Sequence, residues 1–353
     1  MTFFVVGYYA FLIGLSCLAA YYQRRTPFIL LFSLTLVSFV LGIIGGSWAL
    51  QAVAVSAGML ALAAGTSFAF REFLIIISPR DVAKELRTAP LTAAFGMFVI
   101  FTYAIAGIFA PIIAPHGQSE IIASAFAPAD ANMLLGADQL GRDVLSRLVY
   151  GARNSVGLAL LATILAFTMG AVGGLWAATK GGWPDQALGR IADIIMSIPS
   201  LIFALLMLSI FGTALYVIVI VVAVIYSPRV FRLSRAVAGN VVVMDYIEAA
   251  KLRGEGTWYL IRREILPNST APLIAEFGLE FCFVFLLIAG LSFLGLGIQP
   301  PTADWGSMVR ENATLISFGD ITPLIPAAAI ALLTVAVNFV VDWMLFRSSG
   351  LKE

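Results

Sequence analysis

Apolar runs about twenty residues long recur from one end of the 353-residue chain to the other, and few folds can absorb them. A helix rising ~1.5 Å per residue needs ~20 mostly apolar residues to cross ~30 Å of hydrocarbon. Nine stretches reach or approach that length, at roughly 2–22, 27–45, 48–70, 90–114, 155–179, 194–213, 215–228, 271–296 and 322–346. The sixth and seventh are separated only by FGTAL, so their limits are the least defined. Apolar residues make up 61% of the chain and charged residues 12%, against ~45–50% and ~25% in a soluble domain. The expectation is an all-α, polytopic membrane protein.

Several function classes find little support. A net charge of +1 gives no electrostatic basis for a nucleic-acid partner. Cys17 and Cys282 lie inside apolar runs, where a disulfide framework has no use, and His116 is the only histidine. The opening MTFFVVGYYAFLIGL has no basic n-region and is followed by no clear small-residue cleavage site, which favours a retained helix over a signal peptide. GGSW joins the second and third segments as a helical hairpin.

Lysine and arginine set the expected orientation. With the N-terminus outside, only Arg142, Arg147, Arg153 and Arg310 fall on the outer side, leaving 17 of the 21 basic residues inside. That asymmetry follows the positive-inside rule. It places the C-terminus and the polar stretch DYIEAAKLRGEGTWYLIRREILPN, Asp245 to Asn268, in the cytoplasm. A composition break at SPRDVAKELRTAP, Ser78 to Pro90, divides an accessory unit, 1–88, from a working core, 89–353, that has structured polar loops. No internal repeat points to an inverted-repeat secondary transporter.

The polar stretch reads as two short helices around a sharp turn. Asp245 and Glu248 form a capping-box-like start for a helix over Tyr246–Arg253. Gly254 suits the left-handed position beyond its end, and Gly256 loosens the chain further. Thr257 can cap a second helix, Trp258–Ile265, which Pro267 stops. Each is ~12 Å long and marginal alone in water, so each needs something to pack against. With small residues at the bend and Lys251, Arg253, Arg262 and Arg263 around it, the stretch is either a docking knob for another protein or a basic loop facing anionic lipid.

The run Glu248-Ala249-Ala250, then Gly254, then Leu266-Pro267, resembles the EAA loop of ATP-binding cassette import permeases. LGADQLGRDVLSRLVYGAR (135–153), GGWPDQALGRIADIIMSIPSLI (181–202) and AGLSFLGLGIQPPTADWGSM (289–308) resemble the second membrane subunit of the dipeptide, oligopeptide and nickel importers. The resemblance covers most of residues 80–347. It implies a six-helix permease core, here preceded by about three extra transmembrane helices, in a bacterial or archaeal cytoplasmic membrane. It implies ATPase coupling by Glu248, Ala249, Ala250, Gly254, Gly256, Leu266 and Pro267. The implied partners are a second homologous permease subunit, two ATPase subunits that hold ATP and Mg, an extracytoplasmic substrate-binding protein and membrane lipid. The implied mechanism is alternating access driven by those ATPases. The chain departs from the family's usual pattern at Glu264, Glu276, Glu280 and Ile288.

The residues themselves leave other readings open. No Gly-Lys dipeptide occurs, so the phosphate-cradling GxxxxGK[ST] loop is absent. Energy then comes from another subunit or from an ion gradient, and an ion-coupled carrier needs ionisable residues at mid-bilayer depth. A membrane enzyme lacks a His cluster, a Cys nucleophile or an HExxH-type site. Asp138 and Asp143 suggest metal ligands or, with Arg142 and Arg147, ion pairs and helix caps. Glu276 and Glu280 stand one helical turn apart, ~8 and ~14 Å past Ala271. A lipid-facing carboxylate at such depth costs at least ~2.5–3.5 kcal/mol. The pair is therefore expected to line a translocation path or meet a facing helix, the alternative being a neutral, hydrogen-bonded structural acid.

Overall fold

A computed structural model describes residues 11–16, 18–19, 25–45, 48–318 and 320–348. The expected span over 2–22 and the GGSW turn lie wholly or partly outside the described residues. Among those described, every extended element is helical, with only two isolated bridges, Ile121 with Arg142 and Ala137 with Asp143. Six of the described helices are long and apolar enough to cross a membrane, or seven if one bent pair counts as a single span.

The chain divides into two compact units, Met1–Ile100 and Phe101–Glu353. The division falls inside the helix Leu91–Ile108. In the first unit α1 (Arg25–Gly45) is followed by α2 (Trp48–Ile77) and the short polar α3 (Arg80–Thr88). Phe28 is buried against Leu31, Phe32 and Phe68. The Arg71 guanidinium donates to the Ala89 carbonyl at 3.0 Å and lies 5.2 Å over the Phe68 ring, which accounts for a buried charge in an apolar unit. The helix α4 (Leu91–Ile108) carries the chain across the division.

The second unit is built on α5 (Val144–Lys180), α6 (Gly182–Met196), α7 (Ser200–Phe211), α8 (Leu215–Val242), α9 (Asp245–Leu252), α10 (Thr257–Phe293), α11 (Trp305–Asn312) and α12 (Leu324–Ser348). α5 and α8 pack most closely. Ala159, Ala162 and Ala166 are fully buried, and a Cβ on Gly174 would stand 2.5 Å from the Phe231 carbonyl oxygen. Gly170, one turn earlier, abuts the backbone of the same helix, so the pair forms a small-xxx-small contact that a larger residue would force apart.

Three segments differ from expectation. The run over 194–213 is broken, because α6 and α7 meet at 87° across Ser197-Ile198-Pro199. The residue before a proline is pushed out of the helical region, so continuous apolarity did not give a continuous helix. α8 does not stop near 228 but continues to Val242 through Pro228. Arg229, Arg232 and Arg235 recur every third residue on its exposed side while Val230, Phe231 and Ser234 are buried, so the polar half is amphipathic helix. Arg235 makes a two-bond pair with Asp185 of α6, at 2.5 and 2.6 Å. α10 begins at Thr257, well before 271. Its turn Leu260–Ile265 is a π-helix, and Pro267 lies in the first turn of the α-helical stretch that follows. There a missing N–H is tolerated, so Pro267 does not end the helix as expected.

Candidate functional site

The link between α8 and α10 is the short helix α9. Its Ile247 and Ala250, three residues apart, are both fully buried. They join one apolar cluster with Leu175 of α5, Ala238 and Val241 of α8, and Leu260, Ile261 and Ile265 of α10. The partner surface that so short a helix needs is therefore partly its own chain. The opposite face is open: Glu248 and Ala249 are exposed, and Leu252 is 83% exposed.

Gly254 ends α9 with φ of +82°. The Gly254 N–H donates to the Lys251 carbonyl at 2.9 Å and the Glu255 N–H to Ala250 at 3.2 Å. This is the Schellman closure, in which a glycine takes the left-handed residue. A Cβ at Gly254 would meet nothing within 4 Å, and the same holds at Gly256. Leu266 and Pro267 are exposed on the first turns of α10. The capping box is absent: the N-cap position is Met244, with no side-chain cap. Asp245 and Glu248 fall inside the first turn, where their charges still oppose the positive helix end.

A second cluster joins the α4–α5 connection to α11. Arg142 Nε donates to Asp138 at 2.7 Å and its Nη2 to Glu311 at 2.8 Å. Arg147 reaches the same two carboxylates at 3.2 and 3.1 Å. All four side chains are at most 6% exposed, so two cations and two anions share one site without net charge. Asp143 caps α5 by accepting from the Ser146 N–H at 2.9 Å. Asp304 caps α11 through the Ser307 N–H and accepts from the Ser155 hydroxyl at 2.7 Å. Burial pushes the Asp304 carboxyl up, against hydrogen bonds from Ser307, Ser155 and Ser292 that draw it down. Among the described residues no group of three or more His, Cys, Asp or Glu could hold a metal. The roles of Glu311 and Asp304 were not read from the sequence.

Glu280 is fully buried on α10, and neither of its oxygens has a hydrogen-bond partner among the described residues. Glu276, one turn away, is half-buried. Arg229 of α8 lies within electrostatic reach of both carboxylates, with its guanidinium 4.0 Å over the Phe283 ring.

Residues 170–348 match the family described as binding-protein-dependent transport system inner membrane component. The chain is 35% identical over 254 residues to the di/tripeptide transport system permease protein DppC of Pseudomonas aeruginosa (strain UCBPP-PA14), covering 70% of this chain and 84% of the relative. It is 34% identical to the dipeptide transport system permease protein DppC of Alkalihalophilus pseudofirmus, covering 75% and 88%. It is 31% identical to the glutathione transport system permease protein GsiD of Pectobacterium atrosepticum, covering 74% and 88%.

Proposed function

The chain belongs to the family of binding-protein-dependent transport system inner membrane components, and on that premise we propose that it is the permease subunit of an ATP-driven importer of di- or oligopeptides. It is a multi-pass inner-membrane protein and performs no ATP hydrolysis itself. Peptides are favoured over nickel because the relatives reported are peptide and glutathione permeases.

The observation that carries the reading is α9, a helix fastened on one face to three long helices and bare on the other. A separate ATPase docks on the bare face, at Glu248, Ala249, Gly254 and Gly256, with Ala250 holding the helix to the core and Leu266 and Pro267 at its flank. ATP and Mg reside on two such ATPase subunits. A second, homologous permease subunit completes the path, and an extracytoplasmic binding protein delivers the solute. ATP-driven movement of α9 then switches the helices between two packings, giving access to one side at a time. The N-terminus lies outside and the C-terminus in the cytoplasm, as the 17 of 21 basic residues suggest. Residues 1–88 are accessory. Glu276 and Glu280 belong to the path, where a buried carboxylate without a hydrogen-bond partner favours an ammonium-bearing solute.

Uptake of labelled dipeptides by the assembled complex in proteoliposomes tests these roles. Gly254→Asp adds a charge at a position that nothing in this chain occupies but strains a left-handed residue, and Gly256→Asp, with φ of -75° and equal space, adds the charge without that strain. Either variant complex is expected to assemble in the membrane while uptake and substrate-stimulated ATP hydrolysis fall together; normal uptake would remove α9 from the coupling role. Glu280→Gln is expected to reduce uptake of cationic peptides most. Unchanged uptake of every charged peptide would leave Glu280 outside the path.

A further inference from the structure

One face of α10 carries a series of features that continues beyond the docking region, with Leu266 at the boundary between the two. Where the helix begins, Trp258, Tyr259, Arg262 and Arg263 line an open trough of about 480 Å³. Trp258 is 56% exposed, and both arginines are exposed with no ion pair or hydrogen bond to another described residue. The two are consecutive, yet they share one cavity on the π turn Leu260–Ile265, whose wider winding brings adjacent side chains closer in angle.

Further along the same helix is an apolar groove of about 310 Å³, lined by Phe167 of α5 and by Leu266, Thr270, Leu273, Ile274 and Phe277. Leu266, Thr270, Ile274 and Phe277 follow one another at three or four residues along one α-helical face, and the trough lies on the π turn directly before them. The groove is closed at its far end by the Phe167 and Phe277 rings, edge to face at 5.3 Å. From Leu266 to Phe277 the rise is ~16 Å at ~1.5 Å per residue. Half of a ~30 Å hydrocarbon core is ~15 Å.

We propose that this face of α10 is a binding site for one anionic phospholipid of the leaflet on the α9 side, its phosphate held by Arg262 and Arg263 and one acyl chain laid between α5 and α10. The position supplies the identity of the occupant. Trp, Tyr and Arg at the first turns of a span sit at headgroup level, and Arg262 and Arg263 make no ion pair there with another described residue. The depth of the groove is that of one leaflet, and its wall turns apolar where the headgroup region ends. A soluble anion would have no use for the groove, and a soluble protein could not enter it.

Native mass spectrometry of the complete transporter, released from detergent after incubation with phosphatidylglycerol or phosphatidylcholine, reads the site directly. Wild-type complex is expected to retain phosphatidylglycerol in preference, and Arg262→Gln with Arg263→Gln to lower that retention tenfold or more, given about 1 kcal/mol per basic residue near an anionic surface. Arg262→Lys with Arg263→Lys keeps the charge and is expected to keep the lipid. Ile274→Trp, at a position 53% exposed in the groove, is expected to exclude both lipids. Equal retention of the two lipids by wild-type complex would overturn the proposal without recourse to any variant. Loss of the ATPase subunits from the glutamine variant with lipid retained would assign the arginines to that subunit. Wild-type complex without lipid, together with loss of the second permease from Ile274→Trp, would assign the groove to that chain.

Discussion

Arg142, Arg147, Asp138 and Glu311 balance one another in a site largely closed to water. Removing one member of a buried ion network leaves an uncompensated charge and costs about 3–5 kcal/mol, more than the network contributes in total. Glu311→Gln is therefore expected to lower the thermal stability of the purified complex sharply, and combining it with Arg142→Gln, which restores neutrality, to recover part of the loss. A loss in the double variant equal to the sum of the two single losses would show that the two side chains are not coupled. Part of this arrangement was legible: Asp143 precedes an apolar run and reads as a cap, and Arg142 and Arg147 stand near Asp138 in sequence. Glu311 was not legible, because it lies 169 residues from Arg142 and nothing local to it indicates a cation. The bend at Gly254 could be read because a left-handed residue after a helix is a demand made by the neighbouring residues alone.

At the level of the helices, hydropathy located most of the spans among the described residues, took the broken run over 194–213 for one of them and misjudged the ends of others. α8 and α10 each continue about fourteen residues into sequence that is charged or proline-bearing, where burial on one side supports the helix and average apolarity says nothing. The contact of α5 with α8 depends on absent side chains. Gly174→Val would drive a branched side chain into the backbone near Phe231, and overpacking of this kind costs about 1–3 kcal/mol. Gly157→Ala, on the same helix with open space around it, is the control and is expected to leave stability unchanged or raise it by up to about 1 kcal/mol through helix propensity. Equal unfolding temperatures for the Gly174→Val variant and the control would mean that α5 and α8 separate at no cost.

Across the whole molecule, orientation and the role of the first unit can be tested together. In a background lacking Cys17 and Cys282, a cysteine at the exposed Ser119 is expected to react with an impermeant reagent from outside, and one at Gly256 is not. A chain restarted by a Met placed before Val82 is expected to keep that labelling pattern and to transport normally. Reversed labelling would invert the topology, and an assembled but inactive truncated complex would make residues 1–88 part of the mechanism. The apolar cluster beneath α9 has a mechanical consequence. Because Ile247 and Ala250 are embedded among residues of α5, α8 and α10 at once, α9 is the short arm of a lever with three long ones. In the proposed coupling role, a pull on its bare side is expected to reach all three together, and the close glycine contact ties α5 to α8 where they would respond.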